Sequence, residues 1–163
     1  ETLVDWGVRT TPRDKNTKCI AKVNELLRHY KPEVMALQDH RVRDSRRPVR
    51  IKVLIQAIID LAPAHNVSIA LFSRVQIHQV FFANGKGTKH SRAELLTKRF
   101  PDELEILLPP KRLAWMGEDY RFDIFDAVAL AIMLRKSVRR RIRNDAQSSA
   151  EPDLKKSAAK TSL

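Results

Sequence analysis

Cysteine is almost missing from this 163-residue chain: Cys19 stands alone, so no internal disulfide and no cysteine-rich zinc cluster can form. That shortage predicts a reducing, cytoplasmic setting. Long apolar runs are missing too; none approaches the roughly 20 residues needed to span a bilayer. The opening residues lack the charged-then-apolar pattern of a secretory leader, and no internal repeat is visible. Acids are the third shortage, 19 against 31 Lys and Arg, for a net charge of +12. Such an excess points to a polyanionic partner, either nucleic acid or an anionic membrane surface. Residues 135–163 hold nine basic and three acidic residues, leaving 22 and 16 for the first 134, so each part carries +6. A body that stays basic without its tail favours a binding surface over a solubilising extension. The length allows one domain with a real core, plus a tail.

What is present alternates between strand and helix patterns. Leu3 to Thr10 reads as a strand, broken by Pro12 and Asp14. Asn16 or Thr17 to Tyr30 reads as a helix with Cys19, Val23, Leu26, Leu27 and Tyr30 along its apolar side. Val34 to Leu37 suits a strand covered on both faces. A polar loop over residues 40–47 leads to Pro48 as the first residue of a helix running to about His65, with Pro63 ending or kinking it. Val67 to Phe72 is the clearest strand. Helices over Val75 to Phe82 and Ser91 to Arg99 flank a Gly85-Lys-Gly87 turn, and Pro101, Pro109 and Pro110 punctuate an irregular connection. A last helix covers Tyr120 to about Lys136, with an extension toward Arg143. From Ala146 the composition reads as disorder. The domain expected is therefore residues 1–136, followed by a basic tail over 137–163. The fold class is α/β, with a sheet largely parallel through the middle of the chain.

Three groups of residues stand out. Asp123 and Asp126 lie three apart on an otherwise apolar helix, close to one turn, so their carboxylates project from one side. Acids are rarely buried unless paired or holding a cation; the alternative is an amphipathic helix whose first turn suits the macrodipole. The strand Val34 to Leu37 ends in Gln38, Asp39 and His40, at the kind of position where open α/β sheets gather their sites. Arg41, Arg43, Arg46, Arg47, Arg50 and Lys52 then place six cations in twelve residues beside Asp44. They form either a solvated face or a set of phosphate contacts at a helix start.

The order of these features resembles the RuvC-type Holliday junction resolvases of the RNase H-like superfamily. The segments that carry the resemblance are Leu3-Val-Asp-Trp-Gly-Val-Arg9, Leu71-Phe-Ser-Arg-Val-Gln76, Thr88-Lys89-His90, Lys98-Arg-Phe-Pro101, Pro109-Pro-Lys-Arg112 and Phe125-Asp-Ala127. The resemblance spans roughly residues 2 to 134. It implies an RNase H-like mixed sheet flanked by helices, a homodimer, and an endonuclease acting on branched DNA. It also implies four carboxylates holding two Mg²⁺ or Mn²⁺ ions. Asp123 and Asp126 match the family's helix pair, Gln38 falls at its glutamate position with Asp39 adjacent, and Lys89 matches a lysine near the scissile phosphate. The family's first-strand Asp has no match, because the chain begins near the family's third strand; the expectation is a fragment or a degenerate copy. Arg41, Arg43, Arg46, Arg47, Arg50, Lys89, Arg139, Arg140, Arg141 and Arg143 are the expected DNA contacts. A non-catalytic nucleic-acid-binding protein built on the same fold is the competing reading. A basic membrane-surface module is the third, disfavoured because the basic residues do not form one amphipathic stripe.

Overall fold

A computed structural model describes residues 2–8, 15–41, 48–113 and 115–149. Helix α1 (Lys15–Tyr30) leads into strand β1 (Val34–Gln38), helix α2 (Val49–Leu61) and a 3-10 turn (Ala62–His65). Strand β2 (Ser68–Phe72), helices α3 (Arg74–Phe81), α4 (Lys89–Arg99) and α5 (Pro101–Leu104), a 3-10 turn (Glu105–Leu107) and helix α6 (Phe122–Ser149) complete the order.

Among the described residues the sheet is a parallel pair, β1 beside β2, in register from Val34 opposite Ser68 to Gln38 opposite Phe72. Parallel neighbours require a crossover, and α2 supplies it. Alternation along the strands then decides which layer each side chain meets. Met35 and Ile69, paired across the ladder, pack with Leu27, Ala62 and Val67 from the α1 and α2 side. Ala36 and Ala70, one step on, pack instead against the main core beneath α6. That core joins Phe72, Ile77, Ala93, Leu96, Phe100 and Leu104 to the inner face of α6, where Phe122, Phe125, Ala129 and Ile132 are buried.

Local chemistry sets the helix bounds. Lys31 takes φ 45° after α1, its amide still donating to the Leu27 carbonyl at 3.0 Å, and Pro32 prevents continuation. Asn66, at φ 56°, closes the turn after α2. Helices α3 and α4 begin earlier than apolar spacing predicts, because each carries a capping box: Ser73 with Gln76, and Thr88 with Ser91.

Two expectations need correction. Residues 2–8 of the expected Leu3 to Thr10 strand form no strand. Strand backbone needs a ladder partner; here the Leu3 amide donates to Glu103 Oε1 at 3.3 Å and the Tyr30 hydroxyl donates to Asp5. Leu3 and Val8 still pack on the core. The last helix does not stop near Lys136 or Arg143 but continues to Ser149. Arg139, Arg140, Arg141, Arg143, Ala146 and Gln147 are the good helix formers of that extension. Among the described residues no helix is long and apolar enough to cross a membrane.

Candidate functional site

Strand alternation, continued one residue past Leu37, aims Gln38 at α6. There it meets a cavity of about 130 Å³ lined by Gln38, Arg74, Ile77, Lys89, Arg92, Asp126 and Leu130. Each helix contributes from one face: Arg74 and Ile77 are three apart on α3, Lys89 and Arg92 three apart on α4, Asp126 and Leu130 four apart on α6. The turn before α4 fixes where Lys89 emerges. Gly85 has φ 70°, and a methyl group at Gly87 would run into the Phe82 ring.

Charge in the cavity is lopsided, with three cations facing one carboxylate. One Asp126 oxygen contacts Arg92 Nη2, and the other lies 3.2 Å from Lys89 Nζ. Arg92 is only 8% exposed and its Nε has no partner. Lys89 also donates to Glu118, reaching in from the loop before α6. Burial pulls the Lys89 pKa down, but the Glu118 hydrogen bond and the Asp126 carboxylate outweigh it and hold the ammonium above the ordinary lysine value. Glu118 is held below the usual carboxylate range, first by the Lys89 hydrogen bond and further by the nearby Arg112 and Arg74 charges.

No family model and no curated protein matches this sequence. Solved structures do. RuvC of Thermus thermophilus is similar at a TM-score of 0.56 and 17% identity, over 82% of this chain and 75% of that one. T. thermophilus RuvC in complex with a Holliday junction substrate is similar at 0.59 and 17% identity, over 85% and 80%. This chain has a RuvC-like fold.

On the RuvC-like fold, the residues singled out in the sequence separate. Gln38, Lys89 and Asp126 meet in the cavity. Asp39 does not line it. Its amide continues the ladder to the Phe72 carbonyl at 2.9 Å, while its carboxylate turns back to accept from the Arg41 amide at 2.9 Å. Asp123 lies exposed in the first turn of α6 and does not line the cavity either. Arg41 is exposed beside Asp39, at 3.5 Å. Arg50 is engaged between helices, donating from Nη1 to Asn16 Oδ1 at 2.9 Å and accepting from Asn16 Nδ2 at its carbonyl. Arg43, Arg46 and Arg47 lie outside the described residues. Arg139, Arg140, Arg141 and Arg143 are exposed along the far end of α6.

Sequence reasoning missed Arg74 and Arg92. Both were signalled: Arg74 opens the helix that follows the carboxyl end of β2, and Arg92 falls one turn after Lys89 on the same face.

The resemblance implies a pair of divalent metal ions, and the donor set does not fit them. Hard cations require several oxygen ligands. The cavity offers one carboxylate, with each oxygen already against a cation, and one neutral amide. Among the described residues no three His, Cys, Asp or Glu side chains gather in reach of a common ion. As arranged, the site suits an anion, which Arg74, Lys89 and a partly unsatisfied Arg92 can receive.

Proposed function

We propose that this protein binds branched DNA and seats a backbone phosphate at the mouth of the Gln38–Asp126 cavity. The observation that carries the proposal is the convergence of Arg74, Lys89 and Arg92 on one cavity that holds a single carboxylate, in a chain with a net charge of +12. Phosphate contacts of this kind supply affinity without reading sequence. The fold supports branched DNA as the target, since one of its structural neighbours is RuvC bound to a Holliday junction substrate. Arg41 and Arg50 extend the proposed contacts, Arg43, Arg46 and Arg47 are further DNA contacts expected from the sequence, and Arg139, Arg140, Arg141 and Arg143 add a second set on α6. The expectation of a homodimer belongs to the same proposal and is checked by sedimentation.

A second reading, metal-dependent cleavage of branched DNA with Mg²⁺ or Mn²⁺, draws on one observation: Asp126 sits at the carboxyl end of β1 facing Gln38, with Asp123 one turn earlier. Asp123, Asp126, Asp39, Gln38 and Lys89 are its residues. It requires Asp126 to leave Arg92 and Lys89.

Fluorescence anisotropy and gel cleavage on a labelled four-way junction and a matched duplex separate the two readings. Binding in EDTA that favours the junction, with no nicking after Mg²⁺ or Mn²⁺ addition, is the expected result. Metal-dependent nicking lost in Asp126→Asn would establish the second reading. Equal, weak binding to both DNAs would contradict both.

A further inference from the structure

The loop before α6, whose Glu118 contacts the cavity's Lys89, exposes two large aromatic side chains to water. Trp115 is 81% exposed and Tyr120 is 67% exposed. Isolated surface apolar residues need no explanation, but Leu113, Met116 and Ile106 are exposed on the same stretch of chain or just before it. Nor is this loop tip left slack. The Met116 amide donates to the Leu113 carbonyl at 3.0 Å, and Arg112 Nε donates to the Met116 carbonyl at 2.6 Å, so the turn carrying Trp115 is closed on both sides. Three residues on, Glu118 contacts Lys89 in the cavity. Three residues of backbone reach no more than about 10 Å, within a few nucleotide steps of a phosphate held there.

Resting on the DNA-binding reading, we infer that Trp115 is a stacking platform for an unpaired nucleobase of a DNA strand whose phosphate lies against Arg74 and Lys89. The chemistry around the ring favours a nucleobase over an apolar protein surface. A base stacked on Trp115 keeps its own phosphates beside Lys111, Arg112 and Arg74, replacing the water those cations lose. An apolar partner would dehydrate the same cations and return nothing. Stacking also tolerates any base, so Trp115 selects for DNA that exposes a base, as at a branch point or single-stranded arm, and not for a sequence.

The chain has two tryptophans, Trp6 and Trp115, so Trp6→Phe leaves Trp115 as the sole indole reporter. That variant is titrated with a labelled junction bearing a single-stranded arm and with a fully paired duplex, following DNA anisotropy and tryptophan emission together. Expected is quenching of Trp115, with protection from acrylamide, on the armed junction and not on the duplex. Trp115→Ala should weaken armed-junction binding by about five- to a hundredfold. Trp115→Tyr should restore most of it, and the melting temperature of the full chain should not change. Armed-junction binding with Trp115 emission and acrylamide access unchanged overturns the inference and leaves the DNA-binding reading intact. Equal affinity in Trp115→Ala does the same. No anisotropy change with either DNA overturns both.

Discussion

Replacing Asp126 by Asn separates an anion site from a metal site, because the two accounts predict opposite signs. The substitution keeps the shape of the side chain and removes the one negative charge lining the cavity. Arg92, nine-tenths buried, loses its charged partner, while Lys89 retains Glu118. Breaking a fully buried pair by deleting one member costs about 3–5 kcal/mol. The Asp126 side chain is 36% exposed, so solvent screening reduces this to about 1–2 kcal/mol. For a chain of this size that lowers Tm by about 2–8 °C. DNA affinity should move the other way. With the carboxylate gone, Arg74, Lys89 and Arg92 face a phosphate without competition, and binding at low salt should tighten several-fold. The assay is a paired one, with thermal melting by circular dichroism and anisotropy on a four-way junction in EDTA, each repeated with Mg²⁺. The reasoning is refuted if the parent protein is specifically stabilised by Mg²⁺, the variant loses that stabilisation, and junction affinity falls.

Other outcomes follow from the same contacts. Glu118→Gln should tighten DNA binding a few-fold at low salt, because it frees Lys89; anisotropy checks this. The pKa of Glu118 is lowered in the fold, so its contact stabilises fully above the ordinary carboxylate value of 4.5 and is lost as pH falls through the lower folded value. At 53% side-chain exposure the contribution is no more than about 1 kcal/mol, and an acid melting series comparing Glu118→Gln with the parent should show their difference vanish below that range. Thr88→Ala removes the cap of the helix that aims Lys89 and should cost about 1 kcal/mol in thermal unfolding, with weaker junction binding. Leu96→Ala, at a fully buried core position, should cost about 2–5 kcal/mol by denaturant titration. Deleting residues 135–163 should reduce the salt dependence of DNA binding while leaving junction preference in place.

The chain revealed its layers more readily than its site. Short apolar runs located β1 and β2, and 3.6-residue spacing located the core face of α6, since burial on both faces of a strand leaves an unbroken run and burial on one helical face a periodic one. The expected strand at Leu3 failed because a strand is defined by its neighbour, and nothing in Leu3-Val-Asp-Trp states whether one is present. Helix starts at Arg74 and Lys89 were written in Ser73-x-x-Gln76 and Thr88-x-x-Ser91, signals that apolar spacing passes over. At the site, Gln38, Lys89 and Asp126 were found from the order of motifs. The burial of Arg92 against Asp126 depends on a partner from another helix, 34 residues along the chain, which local patterns do not encode. The turn of Asp39 back to the Arg41 amide is local, but nothing in Gln38-Asp39-His40 states that the carboxylate bends that way.

The salt dependence of four-way junction binding in Arg74→Gln/Lys89→Gln is the most direct test of a phosphate held in the cavity. Each phosphate contact contributes about 0.9 to the slope of log affinity against log salt. Arg74 and Lys89 address one phosphate, so the double variant should bind more weakly at low salt, with a slope reduced by about 0.9. An unchanged slope and affinity, with the fold intact by circular dichroism, would mean that DNA does not enter this cavity.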